Sequence, residues 1–346
     1  MCNFRADSYP VKPGSTEVEH GSDRRDFLLA VSGMALLAGL TSMSGCSAGD
    51  EPGLRIATNQ WIGYELLYLS QALNPRDRTG IKLVELLSNT DSVQALVAGT
   101  IDGAGLTLDE AIAARAAGLD LKIVLVFDFS AGADVLLARP EITQLAGLKG
   151  KRVGVEQTGV GALMLDAALK QAGLTATEVE VIGLTVDQHL AAFHNRKVDA
   201  LVTFEPIASQ IAAAGGRRLF DSRAIPGSIV DVLALSTKAL QANPNTARQL
   251  AADYFQALAY LRQNPADAAR RMAPRLGLTP AAVEAGYRDI VLPDLAENRR
   301  LLGGAPAPLE TSAAKLATVM LHANLLAKPV DVTQFIVDSV LPEVQA

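Results

Sequence analysis

Apolar and polar positions settle into a regular rhythm at Leu54. Leu54 to Asn59 reads as an extended strand, and Gly63 to Leu73 then repeats apolar residues at the spacing of one buried helix face. The rhythm recurs as a strand over Lys82 to Leu87 with a helix over Val93 to Gly99. It recurs again as a short strand over Gly103 to Leu106 with a helix that Thr107-Leu108-Asp109-Glu110 caps and Gly118 ends. Two long strand patterns follow, Leu121 to Phe129 and Ala133 to Arg139, split by Ser130-Ala131-Gly132. That arrangement suits a crossover between two lobes or a plain hairpin. A second unit runs strand Arg152 to Glu156, turn Thr158 to Gly161, helix Ala162 to Ala172, strand Val179 to Leu184, helix Asp187 to Asn195, strand Ala200 to Phe204 and helix Pro206 to Ala214. Such a βαβαβα run is the mark of an α/β fold with a doubly wound parallel sheet. Strand Val230 to Ser236 returns after the turn at Pro226-Gly227. From Lys238 to Ala346 the pattern is almost wholly helical, broken at Pro244, Pro265, Pro274, Pro293 and Gly303 to Pro308, and no strand is expected there.

The residues ahead of this rhythm are of another kind. Asp23-Arg24-Arg25-Asp26 precedes an apolar, uncharged run from Phe27 to Gly45 that is short for a membrane span, so residues 1–45 read as an export signal. The arginine pair resembles a twin-arginine leader, with Asp23 where serine or threonine is usual, and the choice of export route stays open. Met43-Ser44-Gly45-Cys46 resembles the lipobox of bacterial lipoproteins, which implies a lipid on Cys46 and a polar tether over residues 46–53. The other cysteine, Cys2, goes with the leader, so no thiol remains for disulfide, metal or nucleophilic chemistry. At 346 residues, 49% of them hydrophobic, the chain has enough material for one large or two ordinary domains, and a net charge of -6 argues against a nucleic-acid partner.

Candidate chemistry gathers at strand-to-helix turns. The turn at Gly159 aims free backbone N–H groups and the positive end of a helix at whatever lies in front, a site for a small anion or polar group. It is not a dinucleotide motif, because Met164 replaces the third glycine, and it is not a P-loop, because no G-K-[ST] follows. Trp61, the single tryptophan, follows the first strand with Tyr64 close behind, where α/β sheets bind ligands. Thr90 and Ser92 offer hydroxyls at one helix start, although capping explains such residues equally well. The capping box at Thr107 needs only Glu110 and leaves Asp109 without a role. Glu205, next to Pro206 at a helix start, either answers the helix dipole or meets an amine or amide N–H on a ligand. His189 and His194 share a helix, where surface or packing duty fits better than catalysis. No metal cluster and no cofactor motif is present in the sequence.

Taken together, GLRIATNQWIGYELLYLSQAL, SNTDSVQALVAGTIDGAGLTLDEA, GLKGKRVGVEQTGVGALML and KVDALVTFEP resemble the substrate-binding proteins of ABC importers, of the nitrate, sulfonate and taurine type that also includes thiamine-pyrimidine precursor binders. The likeness spans Leu54 to Ser236. It implies a type II periplasmic-binding-protein fold, with 54–139 plus 230–346 as lobe 1, 140–229 as lobe 2, a hinge near Phe127 to Ala133 and a helical C-terminal segment. It also implies ligand contacts from Trp61, Tyr64, Thr90, Ser92, Thr107, Thr158, Gly159, Val160 and Glu205. The implied protein is a monomeric, non-enzymatic lipoprotein facing the periplasm or cell exterior. It would bind a small polar organic solute, sulfonate, taurine or nitrate-like or a related nitrogen compound, and deliver it to permease and ATPase subunits. Two other classes stay open. A pyrimidine-precursor synthase shares the fold but resembles a cysteine-rich motif that this chain lacks, and a sensory receptor would have the same site.

Overall fold

In a computed structural model, residues 53–75, 80–156, 159–322 and 325–343 are described. The expected export signal, the lipid-bearing Cys46, nearly all of the tether, and Thr158 lie outside them. The first part of the chain runs β1 (Leu54–Thr58), α1 (Glu65–Leu73), β2 (Ile81–Glu85), α2 (Asn89–Val97), β3 (Gly103–Thr107), α3 (Leu108–Ala116) and β4 (Leu121–Ser130). Next come β5 (Asp134–Ala138), β6 (Arg152–Val155), α4 (Gly159–Gln171), β7 (Glu180–Gly183), α5 (Val186–His194), β8 (Ala200–Phe204), α6 (Ile207–Ala213) and β9 (Arg217–Asp221). Strand β10 (Val230–Ser236) then leads into α7 (Thr237–Ala242), α8 (Pro244–Gln263), α9 (Pro265–Leu276), α10 (Pro280–Gly286), β11 (Ile290–Val291), α11 (Leu295–Leu302) and α12 (Pro308–His322).

The strands form two mixed sheets, ordered β11-β4-β10-β3-β1-β2 and β7-β6-β8-β5-β9. In each, three strands are parallel and the others antiparallel to their neighbours. The chain passes between the sheets twice, at 131–133 and again between β9 and β10. Strands β4 and β5 therefore form no hairpin. Asp134–Ala138, expected in the first lobe, belongs instead to the second sheet, because its backbone partners are β8 and β9. Its side chains explain the choice: Val135 and Leu137 enter one apolar layer while Leu136 and Ala138 enter the other, so the strand is buried on both faces.

Two further strands depart from the sequence reading. β9 follows α6 directly, and β11 joins the edge of β4 within the segment expected to hold no strand, with Ile290 opposite Ser130. Beyond β11, Asn298 serves β4 as a substitute strand: Val126 N donates to its Oδ1 at 2.8 Å and its Nδ2 donates to Val126 O at 3.1 Å. Buried backbone groups need partners, and this side chain supplies them where pairing stops.

Helices α8 and α9 cover α1, and an aromatic stack of Tyr64, Phe127 and Tyr254, with centroids 5.1 and 5.3 Å apart, joins helix to sheet on that face. The C-terminal helices thus complete the first lobe. The two crossing segments are tied together. Ser130 Oγ and Ser222 Oγ lie 2.7 Å apart, and Gly132 N donates to Ser222 Oγ at 2.7 Å.

Candidate ligand-binding cleft

Parallel strands end at the face where the lobes meet, so the turns after β1, β3, β6 and β8 converge there. From the first lobe come Trp61 and Tyr64 after β1, Asn89 at the start of α2, and Thr107 and Glu110 at the start of α3. From the second come Glu156 after β6, Val160 and Gly161 in α4, His189 in α5, and Thr203 and Phe204 of β8. Asp134 of β5 and Asp231 of β10 stand next to the crossings. The enclosed cavity is small, about 30 Å³. By the same measure one water needs roughly 10–15 Å³, so the space suits a compact head group.

Sheet register assembles one wall. Asp231 is paired with Thr107 on one side and Asp128 on the other, which places three polar side chains in a row across β3, β10 and β4. Tyr64 OH donates to Asp231 Oδ1 at 2.6 Å, and Trp61 Nε1 donates to Asp128 Oδ2 at 2.9 Å. Gly63 makes room for the second bond, because a methyl group there would sit 1.8 Å from Asp128 Oδ2. The indole is 4% exposed and meets the edge of Phe204 from the other lobe at 5.5 Å. Beside it, Asn59 donates to Asn89, Asn89 Nδ2 donates to Glu110 Oε2 at 2.7 Å, and Thr107 N donates to the same oxygen at 3.0 Å.

Two more contacts join the lobes. Thr90 Oγ1 donates to Glu156 Oε1 at 2.9 Å. Asp109, without a role in the capping box, reaches the start of α4. A methyl group on Gly159 would lie 1.9 Å from Asp109 Oδ2, and the Val160 amide is among the groups that favour the charged carboxylate. The helix N-terminus is thus answered by a carboxylate of the protein itself.

The electrostatics are one-sided: among the described residues no lysine or arginine lines the cavity. Burial pushes Asp109 up to about 6, Asp134 up to about 7 and Asp128 up to about 8. Glu110 and Asp231 rise well above the carboxylate range, through burial first and then the neighbouring charges of Asp109 and Asp128 respectively. Burial also raises Glu156, and it lowers His189 to about 4, so that imidazole is neutral near pH 7. Several buried atoms have no hydrogen-bond partner: Asp109 Oδ2, Asp128 Oδ1, Asp134 Oδ2 and His189 Nε2.

The model of the NMT1-like family matches residues 47–277. The chain belongs to the NMT1-like family. It is 31% identical over 261 residues to the putative aliphatic sulfonates-binding protein of Escherichia coli (strain K12), covering 73% of this chain and 81% of that one. Its fold is similar to that of the alkanesulfonate-binding protein SsuA from Xanthomonas axonopodis pv. citri bound to MOPS, with TM-score 0.68, 23% identity, and 82% and 98% of the two chains covered. It is similar also to the periplasmic aliphatic sulphonate binding protein SsuA from Escherichia coli, with TM-score 0.66, 24% identity, and 84% and 98% covered. The fold is that of a two-lobed periplasmic binding protein, and the relatives reported above are named as binding proteins.

Of the residues singled out in the sequence, Trp61, Tyr64, Thr107 and Val160 line the cavity. Thr90 and Gly159 sit where the lobes touch, engaged with Glu156 and Asp109. Ser92 turns inward, its hydroxyl donating to Ser88 O at 3.2 Å. Glu205 accepts from Ser209 N at 3.1 Å and lies 4.0 Å from Arg218, which makes it a helix cap outside the cavity lining. His189, expected at a surface or in packing, is 1% exposed and lines the cavity. The sequence reading missed Asp128, Asp134 and Asp231. Their signal was an acidic residue inside an apolar strand, as in LVFDFS, ADVLLA and IVDVLA, where burial of a charge demands a reason.

Proposed function

We propose that this protein is an exported, lipid-anchored receptor that encloses a small nitrogen-bearing solute between its lobes and presents it to the permease and ATPase subunits of an importer. The observation that carries this is the cavity itself: shared by both lobes, lined by apolar and polar groups together, and edged by the buried atoms Asp134 Oδ2 and His189 Nε2 that have no partner in the protein. A solute touching both walls stabilises the closed arrangement over an open one, and closure about the crossing segments near Phe127 to Ala133 is the state a permease recognises. The relatives named for aliphatic sulfonates suggest that ligand class, but no basic side chain among the described residues lines the cavity to answer a sulfonate's charge, and the unpartnered atoms of Asp134 and His189 can accept. A nitrogen compound with N–H donors suits these acceptors better.

A melting-temperature screen against sulfonates, taurine, nitrate, amides, amines and pyrimidines tests the receptor reading. A ligand present at 100 times its dissociation constant adds about 2.7 kcal/mol to stability, an upward shift that is easily read. Trp61 is the single tryptophan, so the same ligand is expected to change tryptophan emission as well. If no small molecule moves either signal, the receptor reading falls.

A further inference from the structure

Resting on that receptor reading, we propose that the head group held in the cleft is a small organic cation, a primary ammonium or a guanidinium-like group. Asp134 is its principal counter-charge, and His189 Nε2 is a further acceptor.

Three separate observations converge on a cation. The carboxylates of Glu110, Asp134, Glu156 and Asp231 reach the cavity from four different elements, and no basic side chain among the described residues lines it. The groups left unpartnered there are buried and mostly accept: Asp134 is 4% exposed with Oδ2 free of partners, and His189 is 1% exposed with Nε2 in the same condition. His189 Nδ1 lies 3.0 Å from Thr203 Oγ1, and with its proton on Nδ1 the imidazole turns a lone pair to the cavity. Finally, the start of α4, where an anionic ligand would bind, is faced by Asp109. An anion would have to displace that carboxylate and then remain among the others.

The competing arrangement is a cavity of neutral carboxylic acids donating to an anion, and pH separates the two. The titratable groups that line the cavity with Asp134 are Glu110 of α3, Asp231 of β10, Glu156 after β6 and neutral His189, and Asp109 of α3 and Asp128 of β4, outside the lining, interact with Asp134 through charge. Burial holds Asp134 near 7, so a cation that binds its ionised form drives off a proton, and affinity rises with pH. Release of one proton from a group of pKa about 7 tightens binding by about tenfold between pH 6 and pH 8. An anion held by protonated acids shows the opposite slope.

The test is calorimetric titration of the full-length protein with ethylammonium, guanidinium and methanesulfonate at pH 6 and pH 8. We expect ethylammonium or guanidinium to bind, about tenfold more tightly at pH 8, and Asp134→Asn to weaken that binding at least tenfold and flatten its pH dependence. Methanesulfonate binding that strengthens toward pH 6 overturns the proposal. So does a panel in which some neutral or anionic solute binds and neither cation does, although the receptor reading then survives. Failure of every solute removes both. The wild-type selectivity and pH slope decide the matter even if Asp134→Asn does not fold.

Discussion

Asp128 shows what a single residue contributes and what it costs. It sits in an otherwise apolar strand, held by the Trp61 indole, and is opposite Asp231 in the sheet register. Burial first, and then the charge of Asp134, disfavours ionised Asp128, while burial and the charge of Asp128 do the same to Asp231, so the pair retains a proton. Because the folded pKa of about 8 lies above the ordinary aspartate value of 3.8, the folded chain keeps a proton that the unfolded chain has released over that interval. The stabilising contribution is therefore complete below about pH 4 and lost as pH rises to about 8. Asp134 and Asp109 act in the same direction. We expect the ligand-free protein to melt at lower temperature at pH 8 than at pH 5.5. We also expect Asp128→Asn, which keeps an acceptor for the indole, to raise the pH 8 midpoint, by less than the roughly 2–4 °C per kcal/mol that holds for domains of 150–250 residues. A midpoint that climbs from pH 5.5 to pH 8 contradicts this.

At the scale of elements, the start of α4 is the contact that most depends on close approach. Gly159 gives Asp109 access to the first turn, and a side chain there would collide with the carboxylate at 1.9 Å from the methyl position. Gly159→Ala is expected to leave the second lobe folded but to hold the lobes apart, weakening affinity for any cleft ligand by about tenfold or more, while the ligand-free melting temperature changes little. Equal affinity in the variant rules out this role for Asp109. Thr90→Val removes the Thr90 to Glu156 bond, worth about 0.5–1.5 kcal/mol, and strands a buried acceptor. Binding roughly two- to tenfold weaker is expected, read by the same titration. Each change acts on closure rather than on the core of either lobe.

For the whole molecule, the two crossings determine what can move. The lobes share no sheet, and Ser130 and Ser222 fasten the crossing segments to each other at 2.7 Å. Rotation about that junction opens the cleft while both sheets keep their hydrogen bonds, the hinge type of domain closure. The Trp61 to Phe204, Thr90 to Glu156 and Asp109 to Gly159 contacts join the lobes across the cleft. Small-angle scattering is expected to give a larger radius of gyration without ligand than with it. Identical curves in both states argue for a rigid pair of lobes.

Much of this was legible along the chain. The strand and helix periods and the small-residue turn before α4 follow from local pattern, because backbone propensity and amphipathic spacing act over a few residues. Trp61, Tyr64, Thr107 and Val160 were marked by their place at strand ends. Other facts came only with the tertiary structure. The sheet to which β5 belongs depends on which backbone edge is free to pair, and the short strands β9 and β11 depend on the neighbours that they extend. The partner of Asp109, the row formed by Thr107, Asp231 and Asp128, and the presence of His189 at the cavity depend on residues far apart in sequence. A carboxylate's charge state is set by what surrounds it in space, so the sequence supplied the acids and only the fold, by burying them together, made them a wall.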